Sequence, residues 1–211
     1  MEHVVKSAKT TLTKKLFALV ALGSLVLLAG CSSTSAAFTL GKNVTSVTDI
    51  QKTVDDILAA RKTVNTTGMN LATGAALTAS QVQFYLVSQL LADAGTSVGL
   101  AVTPAEIAKA KEAAIVQIGG ATALPRALVG AGIDPKNLDL YFTSVLFSQK
   151  LNAYELKNGA TKASATAAIT TLISDTATKE GITINPRYGK WDPKTATIVP
   201  ADATSGAVVS K

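Results

Sequence analysis

The chain has 211 residues, of which 47% are hydrophobic, and it carries a formal net charge of +6. This length and apolar content are sufficient for one domain with a sizeable core. The chain contains one cysteine, which excludes an internal disulfide, and one histidine.

The first thirty residues have the pattern of a secretory signal peptide. Four lysines precede an apolar run from Leu16 to Leu28, which is too short for a transmembrane helix of about 20 residues. Leu28-Ala29-Gly30-Cys31 then resembles the bacterial lipobox, in which the cysteine thiol is acylated before cleavage in front of it. We predict a lipoprotein signal peptide at 1–30 and lipidation of Cys31. The alternative is an ordinary secretory signal with an incidental cysteine.

Cleavage before Cys31 would change the composition on which functional inferences rest. It removes four lysines and one glutamate, which lowers the net charge from +6 to +3, so the basic charge does not predict a nucleic-acid partner. It also removes His3, the single histidine. The mature chain could then form no Cys/His zinc site, thiol nucleophile or histidine-based triad. We predict no cofactor, no metal and no catalytic residue.

Strand and turn signals follow a short polar tether at 31–36. Alternating apolar residues predict a strand near 37–40. The turn residues Gly41-Lys42-Asn43 come next, and we predict a second extended piece at 43–45.

Helix-start signals then recur along the chain. Ser46 and Asp49 have the spacing of a capping box and precede apolar residues at helical spacing. A loop is predicted at 63–77. Further helices are predicted to begin at Thr78, at Thr103, near residue 123, at Asp134 and near residue 164. The helix from Thr78 is apolar on more than one face, which predicts a buried and central position.

These signals together predict a mainly α fold. We expect a bundle of about six helices, with a small β element formed by the N-terminal and C-terminal extended segments, the latter including Ile182-Thr183-Ile184. The predicted domain covers 37–193, and 194–211 is predicted to be a flexible tail. The expected core includes Leu86, Leu90, Ile115, Phe142 and Val145.

The order of the motifs resembles the N-terminal domain of SurA-type periplasmic chaperones. The resemblance is carried by the strand "AFTLG", by "VTPAEIAKA", and by "LVGAGIDPKNLDLYFTSVLFSQKL" with its Gly-Ile-x-x-x-x-Leu segment. "ITINPRYGKWDP" at 182–193 is similar to the exit strand of lipid-anchored, actinobacterial SurA-like proteins. The resemblance implies a chaperone that receives unfolded or newly exported polypeptides. The family's parvulin isomerase domain has no counterpart here, so only the binding role is carried over.

Two groups of residues are candidates for binding such clients. Phe84 and Tyr85 belong to an apolar run of four on the predicted central helix, and a helix cannot place four successive side chains on one face. Arg187, Tyr188 and Trp191 cluster in the C-terminal segment and are residue types enriched in binding hot spots. The alternative for this second group is a segment that packs back over the bundle and closes it.

Three functional classes therefore remain open. The first is a chaperone-like lipoprotein anchored at the extracytoplasmic face of the cell membrane. The second is a ligand-binding or envelope-assembly lipoprotein with a specific partner on the same helical scaffold. The third, which we do not favour, is an enzyme without histidine. An exposed apolar groove would favour the first class, and a small pocket with convergent polar groups the second.

Overall fold

A computed structural model describes residues 35–201. The predicted signal peptide, Cys31 and residues 202–211 lie outside this part of the chain. Within it, short antiparallel strands accompany six α-helices, which confirms the predicted mainly α fold with a small β element. The elements are β1 (Ala36–Leu40), β2 (Asn43–Ser46), α1 (Val47–Arg61), α2 (Gly74–Ser97), α3 (Pro104–Gln117), α4 (Leu124–Ala131), α5 (Leu138–Lys157), α6 (Lys162–Glu180), β3 (Ile182–Ile184), β4 (Lys190–Asp192) and β5 (Thr197–Val199).

The three-stranded sheet joins the N-terminal strands to the strand that follows α6. β1 is the central strand of a three-stranded sheet and pairs antiparallel with both β2 and β3. In the β1–β3 pair, Phe38 lies opposite Ile184. The Asn185 side chain extends this contact, because its amide donates a 3.0 Å hydrogen bond to the Ala36 carbonyl. The N-terminal and C-terminal extended segments therefore meet as predicted.

Capping residues begin three of the helices. Ser46 and Asp49 form the predicted capping box of α1, and Thr103 and Glu106 form that of α3. Thr161 begins α6 in the same way. Asp134 is predicted to begin the long helix α5 directly, and the structure differs. The Asp134 carboxylate accepts a hydrogen bond from the Lys136 N–H, and this residue begins a 3-10 turn that precedes α5.

The predicted start of α2 at Thr78 is wrong. The helix begins at Gly74, and the Thr78 hydroxyl lies inside it and donates to the Gly74 carbonyl. The extra turn brings Leu77 into a buried cluster with residues of α1, which compensates for the missing side-chain cap. Gln81, the last residue of the predicted capping box, is buried and donates to the Gly132 carbonyl instead.

Helix α2 is the centre of the core, as predicted, and packs against α1, α5 and α6. Leu86 and Leu90 are fully buried, and Phe142 is buried as well. Ile115 and Val145, which were predicted to be in the core, are only partly buried. Phe147 and Leu151 are the other buried residues of α5.

Helix α3 lies at the periphery and contributes no buried residue, which explains the error at Ile115. Its contacts with α5 include ion pairs between Lys111 and Asp139 (2.5 Å) and between Glu106 and Lys150 (2.6 Å). An apolar stripe on a helix predicts a face that contacts the protein, but it does not predict how completely that face is covered.

The predicted boundary at residue 194 falls inside a β-hairpin. β4 and β5 pair antiparallel, with Trp191 opposite Ile198. The hairpin is attached to the helices, since the Ser174 hydroxyl donates to the Pro193 carbonyl. The Ile198 N–H donates to Gln83 Oε1 at 2.6 Å. The described part of the segment from 194 onward is therefore structured as far as β5 and is not a flexible tail.

Candidate functional site

Helix α2 directs its four consecutive apolar side chains into different surroundings. Leu86 is fully buried in the core. Phe84 and Val87 line an open groove between α2 and α5, and Tyr85 reaches toward α1. The sequence argument that these four side chains cannot share one face agrees with this arrangement.

Tyr85, a predicted binding residue, has an internal role. Its hydroxyl is 2.9 Å from Thr53 Oγ1 on α1 and accepts a 2.7 Å hydrogen bond from Asn137 Nδ2, just before α5. The ring of Tyr85 meets that of Phe84 edge to face at 5.7 Å. Because its polar end already connects two neighbouring elements, we do not retain Tyr85 as a partner-binding residue.

The groove between α2 and α5, here called the α2–α5 groove, has a volume of about 480 Å³. Five large apolar side chains line it: Phe84, Val87 and Leu91 from α2, and Tyr141 and Val145 from α5. Its polar lining residues are Ser80, Gln83, Ser88, Ser144, Ser148 and Gln149. Among the described residues, the groove lining is thus apolar with interspersed hydroxyl and amide groups and includes no charged side chain.

Ser88 is the most unusual of the polar groove residues. It is only 3% exposed, and its hydroxyl has no hydrogen-bond partner within the described chain. A buried hydroxyl without a partner costs about 1–3 kcal/mol in lost hydration. The hydroxyl has almost no solvent-accessible surface, so an occupant of the groove could reach it only if neighbouring side chains moved.

The C-terminal candidates lie on a different surface. Tyr188 and Trp191 pack against the hydrophobic core, together with Ile198 of the same hairpin. The Trp191 indole N–H is buried and has no hydrogen-bond partner in the described structure. These contacts are those of a segment that closes the bundle, so we do not retain Trp191 as a partner-binding residue.

Arg187 and Tyr188 border a second cavity, of about 530 Å³, between this segment and the start of α2. Ser80 and Gln83 line both the cavity and the α2–α5 groove, so the two openings are neighbours. The Arg187 guanidinium lies over the ring of Tyr188 at 5.8 Å. Of the five predicted binding residues, the structure brings Arg187 and Tyr188 together and leaves Phe84 in the groove.

Three carboxylates with a perturbed pKa, Glu106, Asp56 and Asp93, line neither opening, and the first two are held by lysine partners. The Lys150 ammonium, with the N–H and hydroxyl of Thr103, lowers the pKa of Glu106 from 4.5 to about 2. Lys136 and then Lys52 lower the pKa of Asp56. Burial, followed by the nearby charge of Glu180, raises the pKa of Asp93.

Two further observations on the described residues concern metal binding and membrane crossing. Residues 35–201 contain no group of three or more His, Cys, Asp and Glu residues that could hold a metal ion. Among the described helices, none is both long and apolar enough to cross a membrane alone, and α3 and the segment 121–131 meet that criterion only as a pair bent by 87°.

Sequence reasoning missed the α5 wall of the groove and the buried hydroxyl of Ser88. Tyr141, Val145 and Ser148 are spaced by four and three residues, so the sequence places them on one face of α5. That pattern does not reveal whether the face meets protein or solvent. The comparisons with protein-family models, with curated proteins and with solved structures gave no match.

Proposed function

We propose that this protein is a lipid-anchored, extracytoplasmic chaperone-like protein that binds unfolded or newly exported polypeptide segments in the α2–α5 groove. It acts by binding alone, without isomerase or other catalytic activity. The observation that carries the proposal is the open apolar groove, lined by Phe84, Val87 and Tyr141 and edged by serine and glutamine side chains.

The lining of the groove suits a client of variable sequence. Its large apolar side chains can cover apolar side chains of any shape, since the hydrophobic effect is non-directional. Hydroxyl and amide groups such as those of Ser144 and Gln149 can hydrogen-bond to an extended backbone, which is the same in every client. We therefore expect little sequence preference and an affinity in the micromolar range or weaker.

The predicted anchor fits this role. A thirteen-residue apolar run followed by Leu-Ala-Gly-Cys would place the domain at the extracytoplasmic face of the cell membrane, where exported chains emerge unfolded. Membrane attachment through Cys31 needs more than one acyl chain to be stable. The tether at 31–36 would then separate the domain from the lipid surface.

The test uses a charge placed in the groove and the same charge placed outside it on the same helix. Val145→Asp puts a carboxylate into the groove, whereas Leu156→Asp changes an exposed residue of α5 that does not line it. Binding of a labelled apolar peptide by fluorescence anisotropy, and suppression of aggregation of an unfolded protein, are measured with the soluble 32–211 fragment. We expect at least a tenfold weaker affinity for Val145→Asp and unchanged binding for Leu156→Asp.

Two results would contradict the proposal. One is the absence of any peptide binding or aggregation suppression by the unaltered fragment. The other is equal binding by both variants with the Val145→Asp variant folded, as judged by its thermal unfolding transition.

The cavity beside Arg187 supports the alternative of a ligand-binding or envelope-assembly lipoprotein. It combines a guanidinium, the amide of Gln83 and the hydroxyl of Ser80 around a volume suited to a small molecule. If this cavity is the functional site, Arg187→Gln should abolish ligand or partner binding while leaving peptide binding in the groove unchanged.

A further inference from the structure

We infer that the α2–α5 groove and the neighbouring Arg187 cavity form one joint site, which takes the C-terminal end of a client polypeptide and places its terminal carboxylate at Arg187. The inference deepens the proposed function and rests on it. It adds a preference for chain ends over internal segments, because every polypeptide carries this carboxylate whatever its sequence.

The two openings meet on the same stretch of α2. Ser80 and Gln83 line both of them, and the groove continues along α2 as far as Leu91. From Gln83 to Leu91 the helix rises about 12 Å, at roughly 1.5 Å per residue. An extended peptide covers this length with about four residues. The last few residues of a client therefore fit in the groove when the chain end lies at the cavity.

Gln83 offers a hydrogen-bond donor where the openings meet. Its Oε1 accepts a 2.6 Å hydrogen bond from the Ile198 N–H of β5, which fixes the orientation of the amide. Its Nε2 has no partner within the described chain and is not among the buried unpaired atoms, so it is accessible. An amide N–H donates equally well to a carboxylate or to a peptide carbonyl. Gln83 can therefore bind the end of a client backbone.

Arg187 supplies the positive charge of the joint site. Among the described residues it is the one charged residue that lines the cavity, and its side chain is exposed. The guanidinium contacts the Tyr188 ring and has no acidic partner in residues 35–201. A guanidinium can hold a carboxylate through two parallel hydrogen bonds. Charge complementarity thus places an anionic group at the cavity, next to a groove whose described lining is uncharged.

A terminal carboxylate suits this arrangement for two reasons. It is ionised at neutral pH, and it follows the last side chain of the client directly. An acidic side chain would instead restrict clients to those with an aspartate or glutamate beside an apolar run. The terminal carboxylate is the anionic group that agrees with a groove selecting only for apolar character.

Peptide binding to the 32–211 fragment tests the joint site, since the described residues lie within one compact unit. Two labelled apolar peptides of one sequence are compared, one ending in a free carboxylate and the other in an amide. We expect the carboxylate form to bind about fivefold more tightly, as one exposed charge pair allows. Arg187→Gln should remove this advantage and leave the amide form unaffected. Equal affinities of the two peptides for the unaltered protein would overturn the inference.

Two further variants locate the effect. Lys194→Gln removes a positive charge from an exposed residue of the same hairpin that lines neither opening, and it should retain the carboxylate preference. Loss of the preference in this control would overturn the assignment to Arg187. Val145→Asp should weaken binding of both peptides. Unchanged binding of the carboxylate peptide by Val145→Asp would mean that the cavity acts without the groove, as a small-ligand site does, and would overturn the joint site.

A third peptide identifies the source of the carboxylate. It carries an aspartate after the same apolar sequence and ends in an amide, and we expect it to bind more weakly than the free-carboxylate peptide. Equal binding of these two would refute the preference for chain ends. Absence of binding by every peptide would reject the proposed function itself, whereas equal binding of the first two peptides rejects this inference alone.

Discussion

The Ser88 hydroxyl and the Trp191 indole N–H are both buried without a hydrogen-bond partner in the described structure, but their surroundings differ. Ser88 lies beneath the open groove, and its hydroxyl has almost no solvent-accessible surface. Trp191 belongs to the β4–β5 hairpin and packs against the core. Neither orphaned group therefore marks a binding position by itself, because both polar atoms are inaccessible from outside.

Trp191 provides a residue-scale prediction that separates packing from hydrogen bonding. Trp191→Phe keeps most of the apolar contact and removes the unpaired N–H, so we expect a change in unfolding free energy within about 1 kcal/mol. Trp191→Ala removes the contact and should cost about 3 kcal/mol. Urea unfolding of the 32–211 fragment measures both. An Ala variant as stable as the unaltered fragment would show that the hairpin does not close the bundle.

Glu106 provides a pH-dependent prediction. Its folded pKa of about 2 lies below the ordinary value of 4.5, because Lys150 and Thr103 favour the ionised carboxylate. The contribution of the carboxylate to stability is therefore complete at pH values above 4.5 and is lost as the pH falls to about 2. We expect Glu106→Gln to lower the thermal midpoint at pH 7, and the difference from the unaltered protein to shrink below pH 4.5 and to be lost as the pH falls through about 2.

The exposed Glu112 lies on the same helix and serves as the control for Glu106. Glu112→Gln should leave the thermal midpoint nearly unchanged across the same pH range. An effect of equal size in both variants would mean that overall charge, and not the cap and the ion pair of Glu106, causes the difference.

At the scale of elements, the contact between α2 and α5 sets the shape of the groove. Gly95 of α2 packs against the ring of Phe147, and a Cβ atom at this position would overlap that ring. The close approach explains why a glycine is found in the buried part of a helix, where it is otherwise unfavourable. The same contact holds the two groove walls in position.

Gly95→Ala tests this packing. The added methyl group must displace Phe147 or separate the helices, and we expect a loss of about 1–3 kcal/mol in unfolding free energy. Gly130→Ala on α4 is the matched control, since the nearest atom to its Cβ would be the Met69 methyl at 3.9 Å. The control should be neutral or slightly stabilising. Equal effects of the two substitutions in urea unfolding would argue against close α2–α5 packing at Gly95.

At the scale of the whole molecule, the proposed function depends on Cys31, which lies outside the described residues. We predict that Cys31→Ser prevents acylation and leaves a precursor that the lipoprotein peptidase does not cleave. Intact-mass spectrometry of membrane and soluble fractions measures both effects. An unacylated N-terminus in the unaltered protein would contradict the predicted anchor and would leave the ordinary secretory signal as the interpretation.

The predicted lack of isomerase activity is also a property of the whole chain. Without a parvulin-sized insert, and without a histidine beyond His3, we expect no acceleration of prolyl isomerisation in a short peptide. A protease-coupled assay with the 32–211 fragment measures this, with a parvulin domain as the positive control. Clear acceleration by the fragment would refute the prediction.

Local signals in the sequence determined most of the fold. The capping boxes at Ser46 and Thr103 predicted two helix starts correctly, because a capping box is a contact between residues three apart in the chain. The strands near 37–40 and at 182–184 were likewise predictable from alternation. The local signal failed at Thr78, where burial of Leu77 against α1 extended the helix toward its N-terminus.

The tertiary structure alone decided the candidate site. Whether Tyr85 binds a partner or holds α1 depends on Thr53 and Asn137, which are distant in sequence. Whether Val145 is core or groove depends on what covers α5, and an apolar face has the same pattern in both cases. The sequence by itself determined where helices form and which faces are apolar, since these depend on neighbouring residues. Only the tertiary structure determined which apolar face remained open, because burial depends on the packing of the whole chain.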